Sequence, residues 1–464
     1  MRFLLSVALA LSLPLSLGAA ELTAGAAAVD ITPPRGCPMA GYYSARGAEG
    51  THDPLHAKAL VFEKDGTRAA LVALDLIGTT RGLVEETRKR VEAQTGIPGR
   101  NVMISATHSH TGPVLSDGSP RADALGGGGD IAREYVKELP GKIAEAVKSA
   151  DAARRPARVF HATGREDGLA FNRRYHMADG SVGWNPGKKN PKVVRPAGPT
   201  DPSVPVVYVE SADGKPIATY VNFAMHLDTV GGLYYSADYA YTLGKSLAAV
   251  RGDEMVTLFT IGTAGDINHI NVDDPKPQKG HGEAARIGTR LAAEVLRTYE
   301  KLTPIADGPL RVSSEAVELP LAPVAADDVA AAKAVVAQVR AGAKPAPKFL
   351  DQVQAFKALD VAGRLGKPLS VEVQVISLGD DLAWVSLPGE VFVELGLSIK
   401  AGSPFRTTVL AELANGSIGY VPTRVAYPQG NYEVVSARCA EGSGERLVDV
   451  ALKLLRAQFK DGKK

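Results

Sequence analysis

Asn101-Val-Met-Ile-Ser-Ala-Thr-His-Ser-His-Thr-Gly-Pro113 begins as an apolar strand and ends in two histidines separated by one residue. Side chains of an extended segment alternate between faces, so the spacing predicts that His108 and His110 point the same way from a strand end. Two imidazoles side by side suit a metal site or an acid–base pair. They equally suit two surface histidines making ordinary hydrogen bonds.

Outward from this stretch the chain alternates strand and helix patterns. Residues 58–63 and 69–75 read as strands joined by Lys64-Asp65-Gly66, a hairpin signal. Residues 81–95 carry apolar side chains at helical spacing, stopped by Gly96 and Pro98. Residues 130–150 read as a helix that Pro140 kinks or divides. Strands are predicted at 156–162, 205–210, 216–224 and 255–261, and a long amphipathic helix at 282–302. The basic, Pro- and Gly-rich residues 180–202 read as a long loop. Residues 321–364, rich in Ala, Val and Lys, read as two helices split by 342–347. Strands return at 370–378, 382–387 and 407–413, and 444–459 is the closing helix. Hairpin signals mixed into the alternation predict an α/β (mixed α+β) fold, a mixed β-sheet core with flanking helices.

The 464 residues are 45% hydrophobic, enough for a large core. Lys and Arg total 53 against 51 Asp and Glu, a net charge of +2. That balance gives no reason to expect nucleic acid or an anionic membrane as partner. Arg2, an apolar run over 3–17 and Gly18-Ala19-Ala20 predict a secretory signal peptide over 1–20. The run is shorter than the roughly 20 residues of a membrane span. The mature chain, 21–464, is therefore expected to be exported, periplasmic or extracellular, with no transmembrane segment. Export permits a bridge between Cys37 and Cys439, and two unpaired buried thiols are the alternative. Oligomeric state is left open.

Several polar residues directly follow apolar strands: His108 and His110, His226, Asp266 with His269, and Glu390. Sites in α/β proteins gather at strand ends. A zinc hydrolase uses about three His, Asp or Glu ligands and keeps one position open for water. His108, His226 and Glu390 meet that description by type, although no spacing rule selects them over ordinary loop-entrance residues. Asp266 can hold a histidine in one tautomer, or simply close a turn. Asn172-Arg173-Arg174 can stabilise an oxyanion, or be a salt-bridged pair. His52, Asp53 and His56 match a metal cluster by type, but they border a strand, which favours a structural role. His161, His176 and His281 have no supporting context.

In order along the chain, several segments resemble the neutral, non-lysosomal ceramidases and their shorter bacterial relatives. Ile104-Ser-Ala-Thr-His-Ser-His-Thr-Gly-Pro113 is close to that family's ISATHTHSGP. Asp30-Ile-Thr-Pro-Pro, Asp53-Pro-Leu-His-Ala-Lys-Ala, Asn172-Arg173, Asn222-Phe-Ala-Met-His226, Gly265-Asp266, Pro388-Gly-Glu390 and residues 415–433 follow in the family's order. The resemblance implies a ceramidase-like catalytic domain over 21–464 with one Zn²⁺ ion. Its ligands would be His108, His226, Glu390 and Tyr420. His110 would act as general base and acid, and Arg173 and Tyr432 would polarise the carbonyl. The implied activity is cleavage of the N-acyl amide of a ceramide-like lipid by zinc-activated water. Alternatives are a zinc amidase or esterase acting on a cell-wall fragment or small acylated metabolite, and a non-catalytic binding protein that keeps the fold. Two departures stand out. Asn268 occupies the place of a serine treated as catalytic in the family's GDVSPN, and asparagine can donate a hydrogen bond but is no nucleophile. The chain is also expected to lack the family's C-terminal immunoglobulin-like domain and to carry a helical insertion at about 321–364.

Overall fold

A computed structural model describes residues 21–461, so the predicted signal peptide lies outside the described residues. Among these, the main strands are β1 (Thr23–Asp30), β2 (His56–Lys64), β3 (Thr67–Leu74), β4 (Val102–Ala106), β5 (Arg155–Arg165), β6 (Ser203–Ser211), β7 (Pro216–Phe223) and β8 (Val256–Ile261). They form a mixed sheet in the order β8-β7-β6-β5-β1-β2-β3-β4, with Thr303–Pro304 added beside β5. The β7–β8 and β3–β4 pairs are parallel; the other neighbours along this order are antiparallel. A second sheet holds β9 (Leu310–Leu319), β10 (Leu369–Leu378), β11 (Leu382–Ser386) and β12 (Thr407–Ala411), in that order.

Period-two patterning sorts the layers. In β3, Ala69, Leu71 and Ala73 enter one core, and Ala70, Val72 and Leu74 enter another. The first core also holds Ile376, Leu382, Trp384 and Val409, so the two sheets pack face to face. The second core holds α1 (Arg81–Thr95), α2 (Asp130–Ala152), α3 (Tyr239–Arg251) and α4 (His281–Tyr299), through residues such as Leu83, Ile143, Leu243 and Leu291. A third core places α7 (Val393–Gly402) and α8 (Ser443–Asp461) on the far face of the second sheet. The result is four layers, helix–sheet–sheet–helix, and the predicted mixed α/β class is what forms. Between β9 and β10, α5 (Ala326–Arg340) and α6 (Phe349–Gly363) pack on each other as the expected helix pair, with a small core of their own.

Local chemistry explains the boundaries. Asp65 and Gly66 both take positive φ, 50° and 76°, the turn that the twist of a two-residue hairpin prefers. The Thr80 side chain accepts from Leu83 N at the start of α1, and Gly96 ends the helix at φ 72°. Two expectations are corrected. Pro140 does not divide α2, which runs unbroken past it. Residues 180–202 are not one loop: Arg174–Met177, Val182–Trp184 and Val193–Pro196 form a small three-stranded sheet. Its strands are only three or four residues long, and Gly and Pro between them hide the alternation. Cys37 and Cys439 are both buried and unbridged. No helix among the described residues is long and apolar enough to cross a membrane.

Candidate metal centre

The two central histidines do not sit on an extended segment, contrary to the alternation argument. β4 ends at Ala106 and His108 turns left-handed at φ 75°. That turn, rather than strand alternation, brings the rings together, with His108 Nε2 3.2 Å from His110 Nε2. Backbone hydrogen bonds hold the turn: His108 N donates to Leu76 O at 2.9 Å, and His110 N to Leu227 O at 3.1 Å. The second bond pins the loop after β4 to the loop after β7, which carries His226.

Glu390 arrives from the other sheet. It follows β11 and pairs in parallel with Tyr420 in a two-residue bridge. Gly265 makes this approach possible, because a Cβ there would lie 2.4 Å from Glu390 O. Glu390 Oε2 stands 3.4 Å from His108 Nε2 and 3.3 Å from His226 Nε2. The corners of a tetrahedron about zinc, at ligand distances near 2.0–2.1 Å, lie about 3.3 Å apart. Both separations fit.

The protons at these atoms point the same way. His108 Nδ1 lies 2.7 Å from Ile77 O, so the Nδ1–H tautomer leaves the Nε2 lone pair facing Glu390. Arg173 Nη1 lies 3.2 Å from His226 Nε2, so that nitrogen presents its lone pair rather than a proton, and a bound cation would take the lone pair in place of the guanidinium. Burial, then Arg173, pushes the His226 pKa down to about 4. Burial alone would raise that of Glu390, but the adjacent His108 and His226 hold it well below the usual carboxylate range. Glu390 Oε2 is buried without a hydrogen-bond partner among the described residues. Acceptors that converge without protons are a cation's donor set. The nitrogens of His108, His110 and His226 also lie within 4.8 Å of one another, so His110 is within reach of the same point.

Arg173 is fixed behind this cluster. Its Nε donates to Glu433 at 2.8 Å, and its Nη2 donates to Gly265 O at 2.8 Å and to Tyr420 OH at 3.0 Å. With Nη1 on His226, one of its five N–H groups is left over. Burial and Glu390 keep Tyr420 protonated against the pull of Arg173. Tyr432 sits with its ring 5.2 Å from that of Tyr420. Asn268 is buried, its Nδ2 donating to Asn185 Oδ1 at 3.2 Å and its Oδ1 accepting from Ile270 N at 3.0 Å.

Elsewhere the pairings differ from those expected. Asp266 does not hold His269; it accepts from Asn172 Nδ2 at 2.7 Å and Val393 N at 2.9 Å. The partner of His269 is Asp228, at 3.0 Å. His52 and Asp53 gather with His281 instead of His56, the His52 and His281 rings 3.5 Å apart. Both Asp53 oxygens are already used, by Ser236 Oγ and Ala237 N, which supports the structural role expected there. Sequence reasoning missed Asp228, Glu433 and Arg121. Asp228, two residues beyond His226, carried the only local signal.

A histidine–carboxylate centre at the strand ends of a four-layer α/β fold defines the class. No known family profile and no curated protein matches the sequence. Solved structures do match. The neutral ceramidase of Pseudomonas aeruginosa superposes with a TM-score of 0.74 at 21% identity, covering 94% of this chain and 75% of that one. A ceramidase complexed with C2 superposes at 0.73 and 18% identity, covering 94% and 76%. The chain has the neutral ceramidase fold.

Proposed function

We propose that the protein is an exported zinc-dependent amidohydrolase that cleaves an N-acyl amide, in a ceramide-like lipid or in another acylated compound. The observation that carries this reading is Glu390 Oε2 standing at tetrahedral-edge spacing from both His108 Nε2 and His226 Nε2. The shared fold with ceramidases supports the amide as the bond cut. His108, His226 and Glu390 would hold the ion, with Tyr420 beside them. Zinc there supplies Lewis acidity, polarising a carbonyl and bringing the pKa of water toward neutrality.

The chain's own groups do the remainder. Burial, then the neighbouring His108, depresses the His110 pKa, so the ring is neutral and can accept a proton from water and return it to the leaving amine. Burial keeps the Tyr432 phenol protonated, so it donates where negative charge develops on the carbonyl oxygen, together with the remaining Arg173 N–H. Asn268 has no ionisable group, and attack falls to water. Export rests on the 1–20 segment alone.

Metal analysis tests the centre. The wild type should hold one zinc per chain and His226→Ala almost none; a wild type that takes up no zinc ends the proposal. His110→Ala should keep zinc while losing at least about 100-fold in kcat. Loss of zinc in that variant would make His110 a ligand instead.

A further inference from the structure

The metal centre opens on a cleft of about 1000 Å³, the upper end of small-molecule sites. Its walls include Val114, Leu125, Leu359 and Ile418, room for an acyl chain. They also hold four arginines, Arg81, Arg121, Arg364 and Arg438, against Asp117 and Asp360 besides Glu390. Arg81 pairs with Glu85 at 2.6 Å, and Arg438 Nε with Asp360 at 2.7 Å. The Arg364 side chain has no ion-pair or hydrogen-bond partner among the described residues, but it is exposed. Arg121 differs from all three. Among the described residues it has no carboxylate partner and no hydrogen-bond acceptor, although it is half-buried beside the metal centre.

Its posture is nonetheless defined. Arg121 sits on the short helix Pro120–Ala124, whose first turn is capped by the Ser119 side chain accepting from Ala122 N. Its guanidinium lies over the Tyr43 ring, 4.1 Å from the centroid. A stacked guanidinium offers its face to the aromatic ring and keeps its N–H edge free. That edge is the fork that binds carboxylate or phosphate through two parallel hydrogen bonds. Burial works against the charge, but Tyr43, Tyr432, Glu390 and Tyr420 outweigh it, so the group stays cationic. The same interactions place it within electrostatic reach of the centre. A neutral sphingoid amide lying in the cleft would displace water from this cation and offer it no counter-charge.

We infer that Arg121 is a specificity-determining residue, and that the amide cleaved here carries an anionic group, a carboxylate or a phosphate, which Arg121 binds while the acyl chain lies along the apolar wall. The inference rests on the amidase reading for which bond is cut, but the anion site is measurable without turnover.

Three non-hydrolysable sulfonamides of equal chain length supply that measurement: hexanesulfonylglycine, hexanesulfonylethanolamine and the phosphate monoester of the latter. Calorimetry on the zinc-loaded wild type should show the anionic probes binding at least about tenfold more tightly than the neutral one. The tighter of the two identifies carboxylate or phosphate as the preferred group. Arg121→Gln should abolish the preference and leave the neutral probe within about twofold, and Arg121→Lys should restore part of it, since ammonium keeps charge but not the fork. Equal binding of charged and neutral probes by the wild type overturns the inference, and so does a preference that survives Arg121→Gln. Equal weakening of all three probes in that variant also overturns it, assigning Arg121 a structural role. Because the wild-type comparison needs no variant, misfolding cannot mask the result. Turnover of the matching carboxamides is read separately. Preference without cleavage keeps the anion site and ends the amidase reading, whereas cleavage without preference does the reverse.

Discussion

His269 has an acceptor on each ring nitrogen, Asp228 Oδ1 at 3.0 Å and Gln278 O at 2.7 Å, and only the imidazolium satisfies both. Burial opposes that charge, but Asp228 outweighs it and raises the pKa. A raised folded-state value gives stabilisation that is complete below the unfolded value, near pH 6.5, and is lost as pH climbs through the folded value. His269→Gln should therefore cost about 1.5–3 kcal/mol at pH 6 and progressively less toward pH 9. Urea melts of both proteins across that range check it, and a cost that does not change with pH would refute the charged state. This pairing was not readable from sequence, because no spacing links Asp228 to a histidine 41 residues further on. Glu433 was equally hidden. It is fully buried and divides its two oxygens between Arg173 and Arg174, both at 2.8 Å, yet no spacing links residues 260 apart. What sequence does expose is residue type at strand ends, and that was enough to nominate His108, His226 and Glu390.

The pair α5–α6 shows how an element legible by composition acquires a role only in three dimensions. Its helices were readable from residues 321–364, but their docking was not. Phe349, at the start of α6, stacks on Trp184 with centroids 5.3 Å apart and planes 14° apart. It also meets Tyr432 at 5.1 Å and Tyr43 at 5.3 Å. One exposed aromatic thus ties the helix pair to the three-stranded sheet at 174–196, to the Tyr beneath Arg121, and to the phenol beside the metal centre. The small sheet was misread as a loop because strands of three or four residues carry too little alternation to outvote Gly and Pro. Phe349 is 36% exposed, so nearly two thirds of it is out of water, but its site opens to solvent and truncation leaves no sealed cavity. Phe349→Ala should cost about 2 kcal/mol of stability, while kcat/KM on the best amide falls about tenfold as Tyr432 loses its support. Thermal melts and steady-state kinetics on one preparation separate the two effects. Unchanged kinetics would show that the helix pair does not position the phenol.

The centre draws its donors from both sheets. His108 and His226 follow β4 and β7 of the first, whereas Glu390 and Tyr420 follow β11 and β12 of the second. The sheets otherwise meet through apolar packing of residues such as Phe62, Tyr220 and Trp384, which is non-directional and tolerates small slides. A cation held by donors from both sides would add a directional tie. The layers themselves were predictable, since alternation in β2 and β3 already divides their side chains between two faces. Which loops meet across the layers was not, because that depends on strand order, and neighbours such as β5 and β6 lie far apart in the chain. Metal binding to the folded state alone stabilises by mass action, about 4 kcal/mol when free zinc is a thousand times its dissociation constant. Chelation should therefore lower the melting temperature by several degrees, and zinc should restore it. His226→Ala should melt like the stripped wild type and not respond to added zinc. Hydrogen exchange locates the effect: stripping should speed exchange at 106–111, 225–228 and 388–391, at the seam between the sheets, and leave the cores of α2 and α4 unchanged. Faster exchange spread evenly over the chain, or none at the seam, would show that the ion does not join the two sheets.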